Sequence, residues 1–273
     1  MQKNPMRSCF NIWNNKTEDK GEDMSIVKIR NLNLGDEQAK ICVPLVGQHR
    51  TQLETQLAAI QKHEPDMVEF RGDHFEAVRE KARLKEVLKM VRDCMGDTAL
   101  LFTFRTKEEG GEKTISYGEY AELLEFVADT GYVDAVDVEV YKDEDETPTL
   151  IRILKEKGMV VIGSNHHFEG TPSKEKMLRL LTGMQQAGAD IAKLAVMPKQ
   201  PEDVMRLLNV TIQMKMEHAD TPIITMAMGK LGVISRLSGG LFGNSLTFAS
   251  VARQSAPGQV EIESLREVLT LTQ

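Results

Sequence analysis

Ile191-Ala192-Lys193-Leu194-Ala195-Val196-Met197-Pro198 is the run from which the fold is read. It is short, apolar on both alternating faces and bounded by turn signals, as in a strand buried on both sides of a parallel sheet. Lys193 is the exception within it. A lysine so placed must find a partner, reach a cavity or give up its charge, unless its head snorkels out at the strand end. A lysine without its charge is a nucleophilic amine that forms a Schiff base with a carbonyl.

Seven further runs of the same kind flank it: Lys40–Gly47, Met67–Asp73, Ala99–Arg105, Ala135–Val140, Val160–His166, Pro222–Met228 and Ser245–Ser250. The segments between them repeat with helical period, for example Leu84, Val87, Leu88 and Val91, or Met177, Leu180, Leu181 and Met184. Ser116 and Glu119 have capping-box spacing. Thr171-Pro172 and Gln200-Pro201 place proline at a first helical position. Gly131, Gly158 and Gly188 each precede a strand, where a helix needs its left-handed cap. Strands alternating with helices imply a parallel sheet. Eight such units predict an α/β fold of the (β/α)8 TIM-barrel type, with an open doubly wound sheet as the alternative. Ser25–Leu34 alternates apolar and polar residues and predicts a short N-terminal hairpin, with Gly35 as a turn.

The chain has 273 residues, enough for one barrel over 25–273. Residues 1–24 are polar apart from a cluster at Cys9 to Trp13, and read as a mobile tail or an extension ahead of a start at Met24. Phe10, Ile12 and Trp13 on a docking helix are the lesser alternative. Against 41 acidic residues stand 34 Lys and Arg, a net charge of −7. That balance lacks the basic footprint of a nucleic-acid binder. No apolar run approaches the roughly 18–20 residues of a membrane span. Three scattered cysteines with no C-x-x-C predict a reducing cytoplasm.

In a barrel of this kind the active site lies at the C-terminal ends of the strands. Those ends carry unusual residues. Period two puts Glu69, Arg71 and Asp73 on one face, and Asp137 with Glu139 on another. Arg105 leads into Glu109-Gly110-Gly111, the fifth run ends Asn165-His166-His167, and Arg236 follows the seventh. Bland readings stand beside each. Glu69 and Arg71 could form a structural pair, Asp137 and Glu139 could be orienting groups, and Met226 and Met228 could be core. Gly239-Gly240-Leu241-Phe242-Gly243 could cradle a phosphate, but reads rather as a turn before the eighth run. Adjacent His166 and His167 lack metal-ligand spacing, so no metal is expected. Together the set describes a cavity holding a lysine, a histidine, acids and arginines, suited to an organic anion.

These motifs resemble the type I 3-dehydroquinate dehydratases, the Schiff-base class of dehydroquinases. The resemblance runs from about Met24 to the C-terminus. It rests on Glu69-Phe-Arg-Gly-Asp73, Phe102-Thr-Phe-Arg105 with Glu109-Gly-Gly111, Asp137-Val-Glu139 and Ser164-Asn-His166. It continues through Ala192-Lys-Leu-Ala-Val-Met-Pro198, Ile224-Thr-Met-Ala-Met228, Gly232-Val-Ile-Ser-Arg236 and Ser255-Ala-Pro-Gly-Gln259. It implies a (β/α)8 barrel, a homodimer and no cofactor. It implies Lys193 as the Schiff-base lysine, His166 as general acid and base, and Glu109 as the carboxylate supporting the histidine. Arg236 would grip the substrate carboxylate, and Glu69, Arg71 and Arg105 would serve the substrate hydroxyls and their supporting network. Ser255 and Gln259 would belong to a loop that closes over the ligand. The implied reaction converts 3-dehydroquinate to 3-dehydroshikimate and water. A Schiff-base aldolase and a non-catalytic sensor of an anionic metabolite are the competing readings of the same residues.

Overall fold

The computed structural model describes residues 26–36, 38–251 and 256–272. The expectations for residues 1–24 and for Ser255 lie outside them. Eight parallel strands follow the predicted runs: β3 (Lys40–Leu45), β4 (Met67–Arg71), β5 (Ala99–Thr103), β6 (Ala135–Glu139), β7 (Val160–His167), β8 (Ile191–Val196), β9 (Ile223–Ala227) and β10 (Leu246–Ser250). From β4 to β9 each strand pairs with its predecessor in the chain, and β10 returns to β3, with Leu246 opposite Lys40. A two-residue strand, β11 (Val260–Glu261), pairs with β10 beyond that register. The β10–β3 ladder stops at Phe248 opposite Cys42, two positions before Pro44, which has no N–H to offer a sheet.

The sheet curls into the predicted (β/α)8 barrel. Between β9 and β10 the ladder shrinks to one bridge at Ile223 and Asn244. Ser245 N–H donates to Ile223 O at 2.9 Å, and Thr225 N–H donates to the Asn244 side-chain oxygen at 2.8 Å. A side-chain amide thus takes the place of a strand's backbone at the closing seam.

The helices are α1 (Arg50–Ile60), α2 (Lys81–Met95), α3 (Tyr117–Asp129), α4 (Thr147–Glu156), α5 (Lys174–Gln186), α6 (Pro201–Gln213), α7 (Gly229–Ser238) and α8 (Ile262–Thr272). The apolar stripes of α2 and α5 are buried at the positions their periodicity predicts. Ser116 and Glu119 close a capping box on α3, and Pro201 opens α6. The expectation for Pro172 needs correction. Ser173 caps α5 by accepting from Lys176 N–H, so Pro172 lies one residue ahead of the cap. A hydroxyl at that position satisfies a free helix-end donor, which proline's ring cannot do. Gly239–Phe242 forms a short 3₁₀ turn ending at Gly243.

The N-terminal hairpin is present as β1 (Val27–Ile29) and β2 (Leu32–Leu34). Its turn is Arg30-Asn31 rather than Gly35, which bends the chain only after β2. Arg30 holds a positive φ of 54°. It is anchored there by Nε donating to Asp134 Oδ1 at 2.6 Å and Nη1 to Asp97 Oδ1 at 3.3 Å. Ile29, Leu32 and Leu34 join Cys42, Met67, Leu101, Ile162 and Ile191 in one apolar cluster. The hairpin therefore plugs the N-terminal mouth of the barrel, leaving the other end open for chemistry. The outward faces of the strands pack on the helices in a second, larger cluster that includes Phe70, Phe102, Val136 and Leu194.

Candidate active site

Above the apolar plug, the inward-facing positions turn polar. A cavity of about 620 Å³ including its mouth opens at the C-terminal ends of the strands. Glu69, Arg71, Arg105, Glu109, His166, Lys193, Arg236 and Gln259 all line it. The barrel thus brings together every site residue expected from sequence that falls among the described residues.

Lys193 is 3% exposed, so it does not snorkel. Its Nζ donates to Asp137 Oδ2 at 2.9 Å and lies 3.7 Å from Glu69 Oε1. The Phe248 ring faces the ammonium at 4.8 Å, within range of cation–π attraction. Of the fates open to a buried lysine, this one has both a partner and a cavity. Asp137 is itself shared. It accepts from Arg105 Nη2 at 2.7 Å and Ser164 Oγ at 2.6 Å. Burial opposes its charge, but Arg105 and Lys193 outweigh burial and hold the carboxyl below its usual range.

The three arginines differ sharply. Arg71 is fastened to Asp73, not to Glu69, by two bonds of 2.8 Å. Asp73 lies just past the end of β4, and it also accepts from the backbone N–H groups of Arg105 and Glu112. Glu69 instead accepts from the Thr103 hydroxyl at 2.8 Å. Arg105 reaches Glu139 at 2.9 Å, Asp137 at 2.7 Å and Ser164 at 3.1 Å, with Glu109 at 3.5 Å. Asp137 and Glu139 therefore orient this guanidinium, as one reading of the sequence proposed. Arg236 is 2% exposed and has no carboxylate partner among the described residues. Its contacts are Met226 Sδ at 3.7 Å and Pro257 O at 3.4 Å, and its Nε is buried without a hydrogen bond. Burial lowers its pKa to about 10. A buried guanidinium with no carboxylate partner among the described residues, at a cavity wall, can receive an anion.

His166 Nδ1 lies 2.8 Å from Glu109 Oε2, which leaves Nε2 as the ring nitrogen available to the cavity. Burial, then Arg105 and Lys193, push the imidazole well below its usual range, so the ring is neutral and fit to act as a base. Glu109 comes from the short turn after β5 (Lys107–Glu109). The turn ends at Gly110 (φ +84°), where a Cβ would strike the Phe168 ring, so glycine is required there. Burial and neighbouring Glu139 push the Glu109 carboxyl up to about 8. A raised carboxyl pKa makes the fold prefer the protonated form, so stability is full below pH 4.5 and falls as pH rises towards 8. Glu109→Gln is therefore expected to melt higher than the parent, with the gap widening from pH 4.5 to 8. Thermal unfolding across that range checks it; a gap that narrows with pH would contradict it.

Three residues without an assigned role in the sequence also belong here. Thr103 and Ser164 are hydroxyl donors within the carboxylate network. Asn165 Nδ2 donates to Glu109 Oε1 at 2.8 Å. The only sequence signal for Asn165 was its place beside His166.

The barrel thus holds an interior lysine, a carboxylate-supported histidine and an arginine with no carboxylate partner among the described residues, a set able to receive an organic anion. The model of the type I 3-dehydroquinases matches residues 41–273, and the chain belongs to that family. It is 45% identical to the 3-dehydroquinate dehydratase of Clostridium kluyveri over 90% of this chain and 97% of that one. It is 41% identical to the Salmonella typhimurium enzyme over 91% and 98%. Among solved structures, the Clostridium difficile type I 3-dehydroquinate dehydratase, determined with covalent modified comenic acid, superposes with a TM-score of 0.87. That match has 41% identity and covers 90% of this chain and 97% of that one.

Proposed function

We propose that this chain dehydrates 3-dehydroquinate to 3-dehydroshikimate in the shikimate pathway, through a Schiff base on Lys193. The observation that carries the residue assignment is a single cavity holding Lys193 Nζ, the His166–Glu109 pair and the uncommitted Arg236. Family membership supports the reaction.

The substrate carboxylate docks on Arg236, which sets the ring ketone against Lys193. Lys193 attacks as the neutral amine, and His166 in the same cavity shuttles the protons of Schiff-base formation. The amine attacks the carbonyl, and loss of water leaves an iminium. That cation draws electrons from the adjacent carbon–hydrogen bond and acidifies it. His166 Nε2 takes the proton, giving an enamine. The enamine expels the hydroxyl, which leaves as water with the proton from Nε2, and hydrolysis of the conjugated iminium frees Lys193. The iminium is the electron sink, so the reaction needs no cofactor. Glu69, Arg71 and Arg105 support the hydroxyl side of the ring, and Gln259 belongs to the closing segment, together with Ser255. We also read the working form as a cytoplasmic homodimer; the family resemblance and the free thiols of Cys42 and Cys94 support that reading.

Product analysis tests the reaction. Loss of water and growth of enone absorbance are expected; release of a separate carbonyl fragment would favour an aldolase, and saturable binding without turnover a sensor. His166→Ala is expected to retain covalent trapping on Lys193 while kcat falls by about 10²–10⁴. If His167→Ala were the impaired variant instead, the assignment of the base would be wrong. His167 is one pleat position away, with its Nε2 buried and unpartnered.

A further inference from the structure

Two consecutive residues of β7 hold the two oxygens of one carboxylate. Asn165 Nδ2 donates to Glu109 Oε1 at 2.8 Å, and His166 Nδ1 meets Glu109 Oε2 at 2.8 Å. Neighbours on a strand point to opposite faces, so Glu109 must straddle the strand edge to reach both. Asn165 is 8% exposed and does not line the cavity. Its Oδ1 is buried with no hydrogen-bond partner among the described residues. A buried amide with one half unsatisfied is costly to the fold, which argues that the other half serves the site.

We propose that Asn165 is a positioning residue: by occupying Glu109 Oε1 it keeps Oε2 as the proton acceptor facing His166 Nδ1. The consequence is a paired proton movement in the ionised form of Glu109, which is gained as pH rises towards 8. When Nε2 takes the substrate proton, the Nδ1 proton passes to Oε2, and the ring stays neutral. When Nε2–H gives its proton to the departing hydroxyl, Oε2–H returns its own to Nδ1. Every proton is conserved, and no other reactant takes part. Without the bond from Asn165, either oxygen can carry the proton, and the carboxyl can turn from the ring.

The groups facing this pair are Arg105, 3.5 Å from Glu109 Oε2, Glu139 and Asp137 on β6, Lys193 on β8 and Arg71 on β4. Asn165→Leu changes none of them and removes the orphaned Oδ1, so the variant is expected to fold. A donor to a carboxylate favours its charged form. Its loss moves the ascending limb of the kcat–pH profile, which reports the base form of the pair, to higher pH. The proposal rests on the Lys193 and His166 reading above. In Asn165→Leu, kcat is expected to fall about 10- to 100-fold, with KM nearly unchanged and the limb shifted upward. Asn165→Asp, similar in shape but with a second carboxylate on Oε1, should shift the limb further. Ring-nitrogen NMR of His166 should show a changed balance of Nδ1–H and Nε2–H in both variants. An unchanged limb and unchanged ring nitrogens, whether or not kcat falls, would overturn the proposal and leave Asn165 a structural tie. Borohydride trapping separates the two levels. An adduct on Lys193 in both parent and variant keeps the underlying reading intact. Absence of an adduct in the parent sinks that reading, while the NMR test of Asn165 still stands.

Discussion

Lys193→Ala is expected to lower kcat/KM by about 10⁵–10⁶, the scale of losing a nucleophile that acts as part of a unit. Among the described residues no other amine lines the cavity: the other lining cations are arginines, and Arg71 and Arg105 are fastened to carboxylates. The fold should survive the change. Asp137 keeps Arg105 at 2.7 Å and Ser164 at 2.6 Å, and Glu69 keeps the Thr103 hydroxyl at 2.8 Å. Asp137 thus keeps a cation, and Glu69 keeps a hydrogen bond and the field of nearby Arg71, which limits the penalty for a buried charge. Ligand binding through Arg236 should also persist. Steady-state rates and calorimetric titration on the variant check both halves. Activity within tenfold of the parent would remove the Schiff base from the mechanism.

Arg236→Met is expected to improve the fold and impair the enzyme. A buried guanidinium with no counter-ion among the described residues is a standing cost, and burial lowers its pKa to about 10. Because that pKa is depressed, the cost is complete at neutral pH and eases only as pH rises through about 10. An apolar side chain of similar reach should recover about 1–2 kcal/mol, an increase of a few degrees in Tm. The same change removes the anion receptor. Breaking a desolvated charge pair costs about 2–5 kcal/mol, so KM should rise by roughly 30-fold to more than 1,000-fold. Thermal melts and saturation kinetics on one preparation test both effects. A variant with near-parental KM would mean that the substrate carboxylate docks elsewhere. Natural sequences accept such costs where function requires them.

Much of this was legible in the sequence because two periodicities coincide with function. In β4, β6 and β8, period two separates outward Val68, Val138 and Leu194 from inward Glu69, Asp137 and Lys193. Charged residues on an otherwise apolar strand therefore marked the interior of the site. The pairing of those charges was less legible. Arg71 chose Asp73 over Glu69 because the chain turns after β4 and swings the carboxylate back onto the guanidinium. The closing seam at Asn244 was hidden for a similar reason: it joins a loop amide to a strand 19 residues earlier, with no local pattern. Arg30 displaced Gly35 as the hairpin turn because distant aspartates hold it there. Asn165 was passed over because pleat alternation places it away from the cavity, and only the loop carrying Glu109 brings it back.

The central claim is a covalent bond between Lys193 and the substrate carbonyl. Its most direct test is borohydride reduction in the presence of 3-dehydroquinate, followed by intact mass and peptide mapping. The account predicts a substrate-dependent adduct on the peptide carrying Lys193, absent without substrate and absent in Lys193→Ala. A folded, substrate-binding protein that gives no adduct, or an adduct on another lysine, would contradict it.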